Sequence, residues 1–304
     1  MTIASIDIGT NTVLLLIASV DPKTKNLNTL QNEYRMPRIG KDLMANGNIT
    51  PGKIEDLFEV LQEYKTIIDT AKVNKVLVTA TNAFRIARNS EIIKYKIKDL
   101  FHWDVNVISG ETEALYAYLG ATFQTHQNLK CTVIDIGGGS SEVIIGYKGN
   151  ILYRKSFLMG CVNATEKYLT KFPVISKELD NLKSEISKQF YELKSINAPD
   201  IAIAIAGTPT TLACMLNDLR EYDESRVEGS ILSNEDVDRL CEILAKMTPL
   251  QVRDRYKKIM LGREDIILSG CIILLEIMKL LNLEKVIVSS RGIRYGAIIN
   301  YMGT

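Results

Sequence analysis

The chain opens with two apolar runs, residues 3–8 and 13–18, separated by the polar turn Gly9-Thr10-Asn11-Thr12. Runs of this length, rich in Ile, Leu and Val and broken by Gly and Asn, predict two β-strands joined by a tight turn. A third strand and a loop punctuated by Pro and Gly between Pro37 and Gly52 come next. The period then changes. Thr50 stands where an N-cap belongs and Pro51 at the first helical position, and Ile54, Leu57, Phe58, Leu61, Tyr64 and Ile68 recur at helical spacing. Strand, helix, strand and helix are expected after that, over residues 75–79, beyond Thr81, over 105–109 and over 112–121. Such alternation is the mark of an α/β fold.

Near residue 122 the pattern restarts. Residues 131–146 again form an apolar strand, a Gly-rich turn and a second apolar strand, with Asp135 preceding Gly137-Gly138-Gly139-Ser140-Ser141 as Asp7 precedes Gly9-Thr10-Asn11-Thr12. This is a diverged internal repeat, and two related halves across a cleft would explain it. A strand over 151–156, charged helices over 162–194, and a strand over 201–206 leading into Gly207-Thr208-Pro209-Thr210-Thr211 complete the middle of the second half. A long apolar helix over 263–281, a strand over 286–289 and a last helix after Arg291 end it. The expected domains are 1–122 and 123–304, with the last helix free to pack back on the first. No low-complexity linker separates them.

Composition narrows the chemistry. A chain of 304 residues with 46% apolar and 24% charged residues is globular and long enough for two cores. Lys and Arg number 37 and Asp and Glu 36, so the net charge of +1 gives no reason to expect a nucleic-acid or membrane partner. Cys131, Cys161, Cys214, Cys241 and Cys271 are scattered without a Cys-x-x-Cys pair and read as small buried hydrophobes in a reducing compartment. The opening apolar stretch is interrupted by Asp7, Asn11 and Thr12, which speaks against a signal peptide, and no apolar run is long enough to span a membrane. A cytoplasmic protein is expected, in which the sequons at Asn48 and Asn163 carry no meaning. His102 and His126 are the two histidines, too few for a His-rich metal site and poor material for a Ser-His triad. Carboxylates, hydroxyls, backbone amides and an oxygen-bound metal are left.

Three turns share one design: Gly9 to Thr12, Gly137 to Ser141 and Gly207 to Thr211 each follow a strand and combine Gly with Ser, Thr or Asn. Glycines let the main chain turn sharply and bring N–H groups within reach of phosphate oxygens, and hydroxyls add donors without a charge to desolvate. A single turn of this kind is usually structural. Three, with Asp7 and Asp135 at repeated positions, point to phosphate chemistry.

These three turns resemble the phosphate-1, phosphate-2 and third glycine motifs of the actin-like ATPase superfamily, which also includes sugar kinases, acetate kinase and the heat-shock chaperones. Within it the chain resembles the exopolyphosphatase and guanosine pentaphosphate phosphohydrolase family. The resemblance rests on Ala80-Thr81-Asn82-Ala83-Phe84-Arg85 with Asn89, Val107-Ile108-Ser109-Gly110-Glu111-Thr112-Glu113-Ala114, Met159-Gly160-Cys161-Val162, the segment from Arg263 to Gly270, and Gly292-Ile293-Arg294-Tyr295-Gly296. It implies two actin-like (ribonuclease H-like) domains with an interdomain cleft.

The family's water-activating glutamate falls on Glu113, which the sequence places in the first turn of a helix, where the dipole favours the ionised form. Glu111 is the local competitor. The family's divalent cation site falls on Asp135 and Glu142, with Asp7 in a matching role or capping its own turn; hard oxygen ligands imply Mg²⁺. Arg85 takes the phosphate-binding arginine position, joined by Gly9, Thr10, Asn11, Thr12, Gly137, Gly138, Gly139, Ser140, Ser141, Gly207 and Thr208. Arg88 reads as a solvated charge, and Arg263 and Arg294 as weaker candidates. The implied reaction is hydrolysis of the terminal phosphoanhydride of inorganic polyphosphate, with guanosine pentaphosphate as a second substrate and a link to the stringent response. A homodimer stays open.

Three departures bear on substrate. Leu14 stands where the family commonly has Arg or His. The closing motif has Ser290 in place of Asp and Tyr295 in place of Glu and gains Arg291, which implies a more positive local surface. No extra C-terminal helical region follows, as in a short two-domain member. An ATP-dependent phosphotransferase of the same superfamily and a non-catalytic alarmone or polyphosphate sensor are the competing functions.

Overall fold

A computed structural model describes residues 1–21, 23–24, 26–123, 128–197 and 199–303. The chain divides into two compact units, Met1–Gly120 with Arg291–Thr304, and Ala121–Ser290. The boundary lies close to the expected residue 122, and the tail, which follows the second half in sequence, belongs to the first unit.

The first unit runs β1 (Thr2–Ile8), β2 (Val13–Val20), β3 (Leu27–Arg35), α1 (Leu43–Asn46), α2 (Pro51–Thr70), β4 (Lys75–Ala80), α3 (Asn82–Ile86), α4 (Ser90–Phe101), β5 (Val105–Val107) and α5 (Gly110–Ala121). Its sheet has the order β3-β2-β1-β4-β5. β1 to β3 form an antiparallel meander, and β4 and β5 add in parallel to β1. One face is covered by α2 and α4. Leu57, Leu61, Tyr64 and Ile68 of α2 and Ile93, Ile97 and Phe101 of α4 bury against Ala4, Ile6, Val13 and Leu15. Burying one such aliphatic side chain is worth about 1.5–3 kcal/mol. The Tyr64 hydroxyl keeps its hydrogen bond by donating to Val13 O at 2.8 Å.

The second unit runs β6 (Cys131–Ile136), β7 (Ser141–Tyr147), β8 (Asn150–Phe157), α6 (Cys161–Tyr168), α7 (Ser176–Gln189), β9 (Ile201–Ile205), α8 (Gly207–Leu216), α9 (Glu224–Val227), β10 (Ile231–Ser233), α10 (Asn234–Ala245), α11 (Pro249–Tyr256), α12 (Ile267–Leu280) and β11 (Lys285–Val288). Its sheet reads β8-β7-β6-β9-β11-β10. Through β11 this is the first unit's arrangement again: a three-strand meander, then two parallel strands on its first strand. β10 adds an antiparallel edge. The internal repeat is therefore one of topology as well as of turn sequence, and both units are α/β. Twelve of the fourteen residues of α12 are buried, so it is the central helix of this unit and is apolar on every side.

The last helix, α13 (Ile293–Gly303), lies on the other face of the first sheet. Tyr295 and Ile298 are buried among Ile3, Leu16, Ala18 and Val20. It crosses α5 backbone to backbone: a Cβ on Gly296 would lie 1.9 Å from Tyr116 O, and one on Gly120 would lie 2.2 Å from Gly292 O. All five cysteines are buried thiols. Burial pushes Cys131, Cys161 and Cys214 up to about 11, which leaves them unreactive. Among the described residues, no helix is long and apolar enough to cross a membrane.

Candidate functional site

The two hairpin turns are built alike. Gly9 N donates to Thr12 O, and Gly137 N to Ser140 O, each at 2.9 Å. In both, the carbonyls of the turn are taken up inside the unit. Thr10 O accepts from Gly40 N at 2.8 Å and Asn11 O from Arg38 N at 3.0 Å. Gly137 O and Gly138 O accept from Cys161 N and Val162 N at the start of α6, each at 2.9 Å. Among the described residues, no protein acceptor pairs with the N–H groups of Thr10, Asn11 and Thr12 or of Gly138, Gly139 and Ser140. Such a turn is an anion-binding concavity, because its amide dipoles point outward with no charge to desolvate.

Asp7 lies at the end of β1 and is 8% exposed, and its Oδ1 is buried without a hydrogen-bond partner. Burial first, and then the charge of Glu113, push its carboxyl up to about 7, with Arg294 opposing them. Arg294 is itself buried on α13, donating to Leu15 O at 3.2 Å and to Asn32 Oδ1. The weak sequence candidate is thus a cation sealed into the first unit. Glu113 sits in the first turn of α5, which starts as the chain leaves β5: Ser109 O accepts from Glu113 N at 2.9 Å, and Ser109 Oγ accepts from Thr112 N at 3.2 Å. Arg85 reaches from α3 and donates through Nη1 to Glu113 Oε2 at 2.6 Å and to Ile108 O at 3.0 Å. Burial raises the Glu113 carboxyl, and the Arg85 guanidinium draws it back down. Its competitor Glu111 is exposed. Arg88 is also exposed, and its guanidinium packs on Gly47.

In the second unit, Asp135 and Glu142 are directly opposed across β6 and β7, so their side chains share one face. Glu142 Oε1 also accepts from Ser156 Oγ at 2.6 Å. In the first unit the same cross-strand position opposite Asp7 is Leu14. Among the described residues no cluster of three or more His, Cys, Asp or Glu is assembled for a metal. A carboxylate pair completed by water and substrate oxygens is the donor set that suits Mg²⁺. The pair Asp135 and Glu142 fits such an ion, and so does the orphaned oxygen of Asp7.

Two of the expected phosphate ligands turn their hydroxyls inward. Ser141 is fully buried and donates to Met159 O at 2.6 Å. Thr208 is 2% exposed and packs on α12, where a Cβ on Gly270 would lie 2.4 Å from its Oγ1. At the third turn, α8 begins at Gly207 straight after Ala206, whose φ of 74° is left-handed. The Arg263 guanidinium lies against Gly207, where an added Cβ would meet its Nη1 at 1.9 Å. Only Gly there lets the cation come so close to the start of the helix.

The closing segment brings Ser289 and Ser290 against two carboxylates. Ser289 Oγ donates to Glu228 Oε1 at 2.9 Å, Ser290 N to Glu228 Oε2 at 2.7 Å, and Ser290 Oγ lies 2.9 Å from both Glu224 Oε1 and Glu228 Oε2. Glu224, the first residue of α9, and Glu228, just beyond its last, stand beside Ser290, where the motif lost its acid.

A model of the Ppx/GppA phosphatase family matches residues 16–304. The chain is 28% identical over 308 residues to a bifunctional 3-dehydroquinate synthase/phosphatase of Fusobacterium nucleatum, covering 97% of this chain and 46% of that one, so it spans about half of that relative. It is 26% identical over 316 residues to exopolyphosphatase 2 of Mycobacterium tuberculosis, covering 99% of this chain and 98% of that one. The solved structure of an Aquifex aeolicus member of the Ppx/GppA protein family superposes with a TM-score of 0.85 at 29% identity, over 99% of this chain and 97% of that one.

Proposed function

The chain belongs to the Ppx/GppA phosphatase family, and we propose that within it this protein is an exopolyphosphatase, hydrolysing the terminal phosphoanhydride of inorganic polyphosphate to release orthophosphate. The observation that carries this is the Arg85–Glu113 pair beside the buried Asp7, in a unit whose turn presents three unpartnered N–H groups. A half-buried carboxylate held by a guanidinium is a positioned base. The full-length similarity to an exopolyphosphatase supports the substrate class.

In the proposed reaction the Glu113 carboxylate takes a proton from water as the water oxygen bonds to the terminal phosphorus. The bridging P–O bond breaks in line with that attack, and the shortened chain leaves with the electron pair. In the first unit the N–H groups of residues 10–12 are the donors for phosphate oxygens and in the second those of residues 138–140, and Arg85 shares its charge between Glu113 and the substrate. Asp135 and Glu142 in the second unit, and Asp7 in the first, are the groups that would hold Mg²⁺, which when bound would neutralise charge on phosphate oxygens.

The test is phosphate release from polyphosphates of several lengths, ATP and guanosine pentaphosphate, with and without Mg²⁺ and without an acceptor. Orthophosphate set free from polyphosphate supports the proposal. Transfer to an acceptor with ADP formed would mean a kinase, and binding without release from any of the three would mean a sensor.

A further inference from the structure

The Gly137 to Ser140 turn is held by more than its own hairpin. Asn163, in the first turn of α6, takes part through both ends of its carboxamide. Its Oδ1 accepts from Gly160 N at 2.8 Å, and its Nδ2 donates to Gly139 O at 2.8 Å. Its own N–H adds a bond to Gly138 O at 3.3 Å. The carbonyls of Gly137, Gly138 and Gly139 are thereby all bound on the α6 side. The contact is tight, since a Cβ on Gly160 would lie 2.5 Å from the carbonyl carbon and oxygen of Gly138. α6 is itself anchored: Ser269 Oγ of α12 donates to Cys161 O at 2.7 Å and lies 2.6 Å from Thr165 Oγ1, all buried.

We propose that Asn163 is a positioning residue of the phosphate site: by tying Gly139 O to α6 it fixes the peptide planes of residues 137–140 so that the N–H groups of Gly138, Gly139 and Ser140 stay turned outward for phosphate oxygens. A peptide plane has one carbonyl and one amide on opposite edges, so binding the carbonyl of Gly139 sets the direction of the Ser140 N–H. Without the Nδ2 donor this carbonyl is free to rotate outward, where it would repel the anion. The role rests on the proposed function of the turn as a phosphate site.

Asn163→Ala and Asn163→Asp separate this from ordinary helix capping. Asp keeps an acceptor for Gly160 N and suits a helix N-terminus, but its carboxylate cannot donate to Gly139 O. Tripolyphosphate binding is measured by calorimetry in a Glu113→Gln background, so that the ligand is not consumed. Ala is expected to weaken binding about tenfold, the effect of one such hydrogen bond. Asp is expected to weaken it at least as much, including at high salt, where its charge is screened. Amide exchange at Cys161 and Val162, whose N–H groups bond Gly137 O and Gly138 O, should quicken in the Ala variant. The proposal is overturned if Asp binds as tightly as the parent at high salt, or if Ala leaves both binding and exchange unchanged. A parent that does not bind tripolyphosphate overturns the phosphate site itself, and this role with it; a parent that binds, with an unchanged Ala variant, overturns the role of Asn163 alone.

Discussion

Arg85 Nη1 donates to Glu113 Oε2 across 28 residues of sequence, at 2.6 Å. Two groups expected to act separately on the substrate, one on its phosphate and one on its water, hold each other. The guanidinium counters the effect of burial on the Glu113 carboxyl, so its removal leaves burial unopposed. In Arg85→Met the Glu113 carboxyl rises, and since a base must be ionised, the acid limb of the pH–rate profile moves to higher pH. The lost charged hydrogen bond to substrate lowers kcat/KM about 10- to 100-fold. A profile unmoved in pH would show that the pair does not tune the base.

Glu113→Gln keeps the shape and removes the base. Phosphate release is expected to fall by about 10²- to 10⁴-fold while substrate binding persists. The same change removes the neighbouring charge that helps raise Asp7, so the Asp7 carboxyl moves down. A variant as active as wild type would falsify the assignment of Glu113 as base.

Asp7 predicts how stability depends on pH in metal-free buffer. Its carboxyl lies at about 7 in the folded chain against 3.8 for the ordinary value, so between these the folded state binds more protons than the unfolded one. The contribution is fully present below pH 3.8 and is lost as pH rises through 7. Its upper size is ~4 kcal/mol, from about three pKa units at 1.36 kcal/mol each. Asp7→Asn has no proton to lose, so its melting temperature should overtake that of wild type towards pH 8. If divalent cation binds Asp7, adding Mg²⁺ should stabilise wild type at pH 8 more than it stabilises the Asn variant. Parallel pH profiles for the two proteins would show that Asp7 is not a raised carboxyl.

What could be read from the chain was what is local in sequence. Thr50-Pro51 and the stripe from Ile54 to Ile68 mark α2 because cap and period lie in one segment. Asp7 and Asp135 stand out because each hairpin carries its whole signal within about ten residues. Residues 217–262 went without assignment, although Ser233 caps α10 and Thr248-Pro249 with Gln251 forms a capping box for α11. In α10 the stripe Val237, Leu240, Cys241 and Leu244 is at helical spacing and was legible too, whereas α11 buries Val252 alone. Ser141 was within reach of inference: with Asp135 and Glu142 on one face of the hairpin, the period of two sends Ser141 to the other. The pairing of Arg85 with Glu113 was not, because parallel pairing of β4 with β5 brings α3 beside the start of α5. Asn163 was hidden by its own tripeptide, which reads as a sequon until Gly139 O is seen beside it.

Ser290 supplies the last test, because here the common residue of the family motif should do harm. Its hydroxyl and N–H meet Glu224 and Glu228, two carboxylates already side by side. Ser290→Asp would set a third acid against them and remove the hydroxyl that bonds both. Setting a third like charge beside these two and losing the hydroxyl costs more than Ser290→Ala, which loses only hydrogen bonds of about 1 kcal/mol. At pH 8 the Asp variant should therefore melt below the Ala variant. An Asp variant as stable as wild type at pH 8 would mean that Glu224 and Glu228 swing away, and that the acid of the motif and the acids of α9 do not compete for one place.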